Sequence, residues 1–132
     1  MTHTDLAALL VDDEPIAREV IAFWLEQLGF SVATTGSAAQ ALSLAAQQRF
    51  DVIVTDVHLE SGQDGFELAA AVADRQPHIR ALFVSAEAWG PSQVAEPDTT
   101  FLHKPFTLGD LDRAMRLVLS DDQRLTSRCL KA

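Results

Sequence analysis

The chain is short of cysteine, of basic residues and of long apolar runs. Its one cysteine, Cys129, cannot form a disulfide within the chain and cannot supply a cluster of thiolate metal ligands. Lys and Arg total 10 against 19 Asp and Glu, which gives a formal net charge of -9. That balance argues against a surface that binds nucleic acid by neutralising phosphates.

Targeting and membrane signals are also missing. The N-terminus has no basic segment followed by a long apolar core, and no window approaches the ~18 apolar residues of a membrane-spanning helix. We therefore expect a cytoplasmic protein in a reducing compartment, with no membrane partner and no direct nucleic-acid partner. With 132 residues, of which 48% are hydrophobic, the chain predicts one domain with a substantial core.

Short apolar segments alternate with helical patterns along the chain. The predicted strands are 6–11, 30–34, 51–55, 79–84 and 101–103. The first and third are almost wholly apolar, which is typical of strands covered on both faces. Because parallel strands need crossover connections, this alternation predicts an α/β fold with a five-stranded parallel sheet and helices on both faces.

The helical segments begin at recognisable signals. Pro15 opens the first, in which Ile16, Val20, Phe23, Trp24 and Leu28 recur at helical spacing and are expected to face the core. A capping-box pattern at Ser37 opens the second through about residue 47, the third covers roughly 66–75, and another capping box at Thr107 opens the last. Residues 87–100 carry one glycine and two prolines, so any helix there is expected to be short or irregular.

Polar residues follow four of the predicted strands. Asp12 and Asp13 end the first strand, Asp56 the third, Ser85 the fourth and Lys104 the fifth. Each of them taken singly is explained as an ordinary turn or cap residue. In an open parallel sheet, however, ligands bind outside the carboxyl ends of the strands, so the residues together predict a site with complementary chemistry.

The three carboxylates predict a cation. Two like charges about 4 Å apart repel by about 4 kcal/mol at an effective dielectric of ~20, so an acidic cluster calls for an opposite charge. Carboxylate oxygens without a His and Cys set suit a hard ion, and a site that also receives phosphate favours Mg²⁺ over Zn²⁺. Asp56 can then act as a nucleophile on a phosphoryl group whose charge is balanced by the metal and Lys104.

The motifs LLVDDEP, DVIVTDVHL, DGFELA, LFVSAE and FLHKPF resemble those of response-regulator receiver domains of two-component signalling, over roughly residues 5–119. The resemblance implies a doubly wound, flavodoxin-like sheet in the order 2-1-3-4-5. It also implies a cis Lys104-Pro105 bond. The remaining residues, 120–132, are expected to extend the domain or to begin a linker.

The resemblance assigns roles to the residues at the predicted site. Asp56 becomes the phosphoacceptor, Lys104 contacts the phosphoryl group, and Ser85 and Phe101 form a switch that responds to phosphorylation. The Mg²⁺ ligands implied by the family are Asp12, Asp13, Asp56 and the backbone carbonyl of His58.

The resemblance also implies partners and a mode of action. The phosphodonor is expected to be a sensor histidine kinase or a histidine phosphotransfer protein, and the target is a downstream protein or an output domain. The protein is then a signalling phosphoacceptor rather than an enzyme, with autophosphorylation from small phosphodonors and slow autodephosphorylation. A phosphorylation-dependent homodimer is a further expectation that the sequence leaves open.

Two other functions compete with this interpretation. A metal-dependent phosphatase with an aspartyl-phosphate intermediate needs a similar set of residues, but haloacid-dehalogenase-like enzymes normally have a second Asp two residues after the nucleophile, where this chain has His58. A receiver-like module that binds partners without phosphorylation is the other alternative. The presence of every expected site residue argues against it.

Overall fold

Residues 6–59, 62–86 and 100–120 are described by a computed structural model. The strands in these residues are β1 (Ala7–Val11), β2 (Ser31–Thr35), β3 (Val52–Asp56), β4 (Arg80–Ser85) and β5 (Thr100–His103), and the helices are α1 (Pro15–Gln27), α2 (Ala38–Gln47), α3 (Gly65–Arg75) and α4 (Leu108–Val118). The short or irregular helix predicted within 87–100 falls on residues of which 87–99 lie outside the described part of the chain, as does the extension after residue 120, while Thr100 begins β5. None of the helices described is long and apolar enough to cross a membrane.

The five strands form one sheet in the order β2-β1-β3-β4-β5, and all neighbouring strands are parallel. The predicted α/β class and the doubly wound order are therefore confirmed. The chain order reverses between β1 and β3, since β1 pairs with β2 on one side and β3 on the other. In such sheets the crevice at the carboxyl ends of these two strands is the ligand-binding position.

Helices cover both faces of the sheet and divide the core into two layers. Leu10 of β1 packs in the layer formed with α1 and α4, whereas its neighbours Leu9 and Val11 pack in the layer formed with α2 and α3. Successive side chains of a strand point to opposite faces. A strand that is buried on both faces therefore has no polar face, and this explains the continuous apolar runs of β1 and β3.

Strand boundaries differ from the predicted ones by about one residue. β3 and β4 include Asp56 and Ser85, where the prediction ended at Thr55 and Val84. The reason is backbone pairing with the neighbouring strand, since Asp56 is in register with Val84 and Ser85 with His103. Asp56 and Ser85 are thus held by the ladder of the sheet itself, whereas Asp12, Asp13 and Lys104 follow the ends of β1 and β5.

The two predicted capping boxes have different outcomes. At α4 the box is complete, because Thr107 Oγ1 accepts from the Asp110 backbone N–H and Asp110 accepts from the Thr107 backbone N–H. This backbone hydrogen bond lowers the pKa of Asp110. At α2 only one half forms: Ser37 Oγ accepts from the Gln40 N–H at 3.0 Å, while the Gln40 side chain binds the hydroxyl of Thr35.

The predicted core face of α1 is partly wrong. Ile16, Val20 and Phe23 are 71%, 41% and 56% exposed, whereas Ile21 and Leu25 are buried. Each set follows the same helical spacing, and at 100° per residue the two stripes lie roughly 150° apart around the helix. Periodicity alone cannot tell which of two equivalent stripes meets the sheet, and the exposed stripe remains as an apolar strip on the surface. Trp24, between the stripes, is partly buried and packs on Phe106 with ring centroids 6.1 Å apart.

The two stripes of α1 should differ strongly in their contribution to stability. We expect Leu25→Ala to lower the free energy of unfolding by about 2–5 kcal/mol, because it removes a fully buried side chain and leaves a cavity. The matched variant Phe23→Ala should cost less than about 1 kcal/mol, since its ring is largely in water. Urea denaturation of both variants measures the difference, and equal losses would contradict the orientation of α1.

Candidate functional site

Three carboxylates meet at the carboxyl end of the sheet. Asp12 follows β1 directly and is fully buried, while Asp13 and Asp56 are partly exposed. One carboxylate oxygen from each residue lies within 4.8 Å of the other two. The structure therefore brings together the three acids that the sequence predicted as metal ligands.

The side chain of Asp12 is held by two donors. The backbone N–H of Glu14 donates to its Oδ1 at 3.0 Å, and the ammonium of Lys104 donates to its Oδ2 at 2.9 Å. Its own backbone N–H donates to the carbonyl of Thr35 at the end of β2, at 3.1 Å. A buried carboxylate is tolerated in a protein only with such partners.

Asp56 is held in the same manner at the end of β3. The backbone N–H of His58 donates to its Oδ1 at 3.1 Å, and Lys104 Nζ donates to its Oδ2 at 3.1 Å. The backbone N–H of Lys104 donates in turn to the carbonyl of Ser85 at 2.8 Å, and the Lys104-Pro105 bond is cis as predicted. Lys104 therefore joins the ends of β1, β3, β4 and β5.

The environment of Lys104 acts on its charge in two opposed ways. Burial lowers the pKa of the ammonium, but the hydrogen bonds and negative charges of Asp12 and Asp56 outweigh burial and leave the pKa raised above its ordinary value. Lys104 is thus a permanent positive charge near neutral pH. It pairs with Asp12 and Asp56, while the cluster also contains Asp13, so one ammonium does not balance the three carboxylates.

The remaining negative charge and the chemistry of the donors fit a hard divalent cation. Carboxylate oxygens at this spacing match the ligands that Mg²⁺ takes. Zinc sites usually include His or Cys ligands, and the exposed side chain of His58 is not part of this group of three acids. Magnesium is therefore the ion that the residues present would hold.

The loop after β3 is shaped by a glycine that permits close approach of two backbone segments. A Cβ on Gly65 would lie 2.1 Å from the carbonyl oxygen of Asp56, and the Gly65 N–H donates to the carbonyl of Val57 at 2.7 Å. Any larger residue at position 65 would displace the chain that carries Asp56. The same loop contains His58, whose role as a carbonyl ligand remains a prediction.

The two predicted switch residues lie on neighbouring strands. Ser85 is 1% exposed at the end of β4, and Phe101 on β5 is partly buried against the layer of the core that contains Phe83, its partner in register. Phe83 in turn contacts Phe66 of α3, with ring centroids 4.5 Å apart. A rotation of the Phe101 ring would therefore alter the packing of the core beside α3.

Two residues beside the acidic cluster were not identified from the sequence. Arg18 of α1 donates from Nη1 to the backbone carbonyl of Asp12 at 2.7 Å, and its guanidinium lies against Gly36, which follows β2. The position of Arg18 in the sequence could have indicated this contact, because Arg18 lies one turn into a helix whose first residue directly follows the acidic loop. Gly36 offered no local signal, since it meets Arg18 only in the folded chain.

Comparison with known proteins agrees with this geometry. The family model described as the response regulator receiver domain matches residues 8–116. The transcriptional regulatory protein GlrR of Escherichia coli is 30% identical over 108 residues, and the sensor histidine kinase AruS of Pseudomonas aeruginosa is 34% identical over 117 residues. These alignments cover 80% and 83% of this chain but 24% of GlrR and 12% of AruS, so the chain spans a small part of these relatives.

A solved structure extends the likeness to the fold. The chemotaxis protein CheY4 of Vibrio cholerae superposes with a TM-score of 0.78 at 30% identity, covering 86% of this chain and 98% of that one. The chain belongs to the response regulator receiver domain family. Its relatives are thus two-component response regulators and the receiver domains of hybrid kinases, and the role that fits it is that of a signalling phosphoacceptor.

The raised pKa of Lys104 predicts a loss of stability in alkali. A group whose pKa is higher in the folded state stabilises the fold fully below its unfolded value, here 10.5, and this contribution disappears as pH rises through the folded value. We expect the stability difference between the wild type and Lys104→Met, in EDTA, to be constant near neutral pH and to shrink above 10.5.

Urea denaturation between about pH 8 and about pH 12 measures this difference. The chain has no tyrosine, and the other groups that titrate there are common to both proteins and cancel in the comparison. A difference that stays constant or grows through this range would contradict the ion pairs of Lys104 with Asp12 and Asp56.

Proposed function

We propose that Asp56 accepts a phosphoryl group from a phosphohistidine and that the receiver unit, residues 5–119, transmits this event through β4 and β5. The observation that carries the proposal is the position of the Asp56 carboxylate. One of its oxygens lies 3.1 Å from the Lys104 ammonium, and one lies within 4.8 Å of a carboxylate oxygen of both Asp12 and Asp13. A nucleophile beside both a fixed cation and a set of metal ligands suits phosphoryl transfer.

The proposed reaction needs little from the protein beyond position and charge. A bond forms between an Asp56 carboxylate oxygen and phosphorus while the bond from phosphorus to the donor imidazole nitrogen breaks. The Lys104 ammonium, which pairs with the Asp56 carboxylate before transfer, would then bind the negatively charged phosphoryl oxygens. When bound by Asp12, Asp13, Asp56 and the His58 carbonyl, Mg²⁺ would neutralise the phosphoryl oxygens.

The phosphodonor proposed for this chain is a sensor histidine kinase or a histidine phosphotransfer protein. The site supplies the acceptor, the cation and the metal ligands. It is therefore suited to transfer from a partner's phosphohistidine or from a small phosphodonor, followed by slow hydrolysis.

The output is proposed to begin at Ser85. Phosphorylation places about -1.5 to -2 charges and several strong acceptor oxygens beside a buried hydroxyl that adjoins Lys104. Movement of Ser85 toward the phosphoryl group would leave room for Phe101 to turn inward, since Phe101 is already half buried against Phe83. The altered surface around β4 and β5 would then bind a downstream protein, an output domain or a second copy of the chain.

Phosphorylation of Asp56 is testable with a small phosphodonor. We expect acetyl phosphate to label the wild type in the presence of Mg²⁺ and not in EDTA, and we expect Asp56→Asn to lose labelling because an amide is not a nucleophile toward phosphorus. The matched variant Asp74→Asn changes an exposed acid on α3 and should label as the wild type does. Phosphoprotein gels or intact mass spectrometry provide the measurement.

Undiminished labelling of Asp56→Asn would exclude Asp56 as the acceptor. Rapid turnover of small phosphomonoesters by the wild type would instead favour the phosphatase alternative. Partner affinity that is the same with and without beryllofluoride, a phosphoryl mimic, would favour a module that acts without phosphorylation.

The switch is testable with a pair of structures, without and with beryllofluoride and Mg²⁺. Ser85 Oγ should move toward the mimic, and the Phe101 ring should become more buried. In Ser85→Ala the mimic should still bind Asp56, while Phe101 should keep its original rotamer because the hydroxyl that leads the change is missing. A Ser85 side chain that does not move in the wild type would exclude the proposed switch.

A further inference from the structure

The peptide that joins Asp12 to Asp13 is held by a side chain from α1. Arg18 Nη1 donates to the carbonyl oxygen of Asp12 at 2.7 Å, and Arg18 is partly buried where it does so. This bond to a guanidinium is charge-assisted, and such bonds are shorter and stronger than neutral ones. It fixes the plane of the peptide that precedes Asp13.

Asp13 depends on that peptide more than the other two acids do. The carboxylates of Asp12 and Asp56 are each held by a backbone N–H and by Lys104. Within residues 6–59, 62–86 and 100–120, the carboxylate of Asp13 has no hydrogen-bond partner. Its direction toward the cluster is therefore set by its own backbone, which starts at the carbonyl that Arg18 holds.

Gly36 leaves the space in which the guanidinium lies. A Cβ at this position would be 2.7 Å from Arg18 Nη1, while it would clear both Asp12 O and Asp13 Cα at 3.6 Å. Only the end of a flexible side chain would clash. Gly36→Ala is thus a way to displace the guanidinium while the arginine and its charge remain in the protein.

We propose that Arg18 is a positioning residue for the magnesium site: through the Asp12 carbonyl it orients the Asp12-Asp13 peptide so that the Asp13 carboxylate faces the metal. The proposal rests on the proposed function, in which these acids bind Mg²⁺. Residues that orient metal ligands commonly change metal affinity by about 10- to 100-fold when they are removed.

The charge of Arg18 and its positioning role have opposite effects on the affinity for Mg²⁺. A cation beside the site repels Mg²⁺, so charge alone predicts that removing Arg18 tightens Mg²⁺ binding. Positioning predicts that removing it weakens binding. Because Arg18 is partly exposed, the high effective dielectric of the surrounding water weakens its repulsion of Mg²⁺, and we expect positioning to dominate.

The experiment is a titration with MgCl2 followed by the backbone amide NMR shifts of the full chain. Arg18→Met should weaken Mg²⁺ binding about tenfold, near the lower end of the range for such residues. Arg18→Lys keeps the charge but loses the planar fork, and it should restore only part of the affinity. Arg75→Met is the control, since it removes an exposed positive charge from the end of α3 and should leave the affinity unchanged.

A double-mutant cycle separates positioning from general stability. Gly36→Ala should weaken Mg²⁺ binding in the wild-type background but not in Arg18→Met, because its effect passes through the guanidinium. The free energy of unfolding without Mg²⁺ is measured for each variant. If Arg18 had a purely structural role, Arg18→Met would lower that stability and leave the dissociation constant for Mg²⁺ unchanged.

The outcomes separate this proposal from the proposed function. If the wild type binds Mg²⁺ and is phosphorylated while Arg18→Met binds Mg²⁺ equally or more tightly, the positioning role is overturned and the proposed function stands. If the wild type fails to bind Mg²⁺, or if Asp13→Asn binds it equally well, the metal site is overturned and the role of Arg18 with it.

Discussion

The contacts of one ammonium group with two carboxylates organise this molecule. Lys104 reaches Asp12 at 2.9 Å and Asp56 at 3.1 Å, although β3 and β4 lie between β1 and β5 in the sheet. The long lysine stem allows a group at the end of the outer strand to reach the centre of the sheet. Removing that charge would leave a fully buried carboxylate, Asp12, without its opposite charge, and this is among the most destabilising changes that a protein interior can undergo.

In the proposed function, the same contacts would let one site both accept a phosphoryl group and transmit the change to neighbouring strands. β1 and β3 are buried on both faces, and backbone N–H groups and Lys104 hold the carboxylates of Asp12 and Asp56 at their ends without any ligand. The groups that would respond, Ser85 and Phe101, lie on β4 and β5, at the side of the sheet away from β2. In the proposed switch, charge chemistry at the crevice between β1 and β3 would be joined to a change of packing on the neighbouring strands.

Most of the strands and helices were predictable because their signals are local. The apolar runs gave β1 and β3 within one residue, and the Thr107 and Asp110 pair gave the cap of α4. The core face of α1 was not predictable, because Ile16, Val20 and Phe23 have the same spacing as the buried stripe. The second hydrogen bond of the α2 capping box does not form, because the Gln40 side chain accepts from the Thr35 hydroxyl instead. The capping-box pattern does not take this neighbour into account.

The sequence by itself determined the order of the elements, the fold class and the kinds of residue at the strand ends, since each of these follows from the chemistry of consecutive residues. Tertiary structure alone decided the distances, because Lys104 and Asp12 are 92 positions apart and meet only when the sheet has formed. It also decided which stripe of α1 is buried and brought Arg18 against Gly36. These are properties of surfaces pressed together by folding, and no local pattern encodes which surface will meet which.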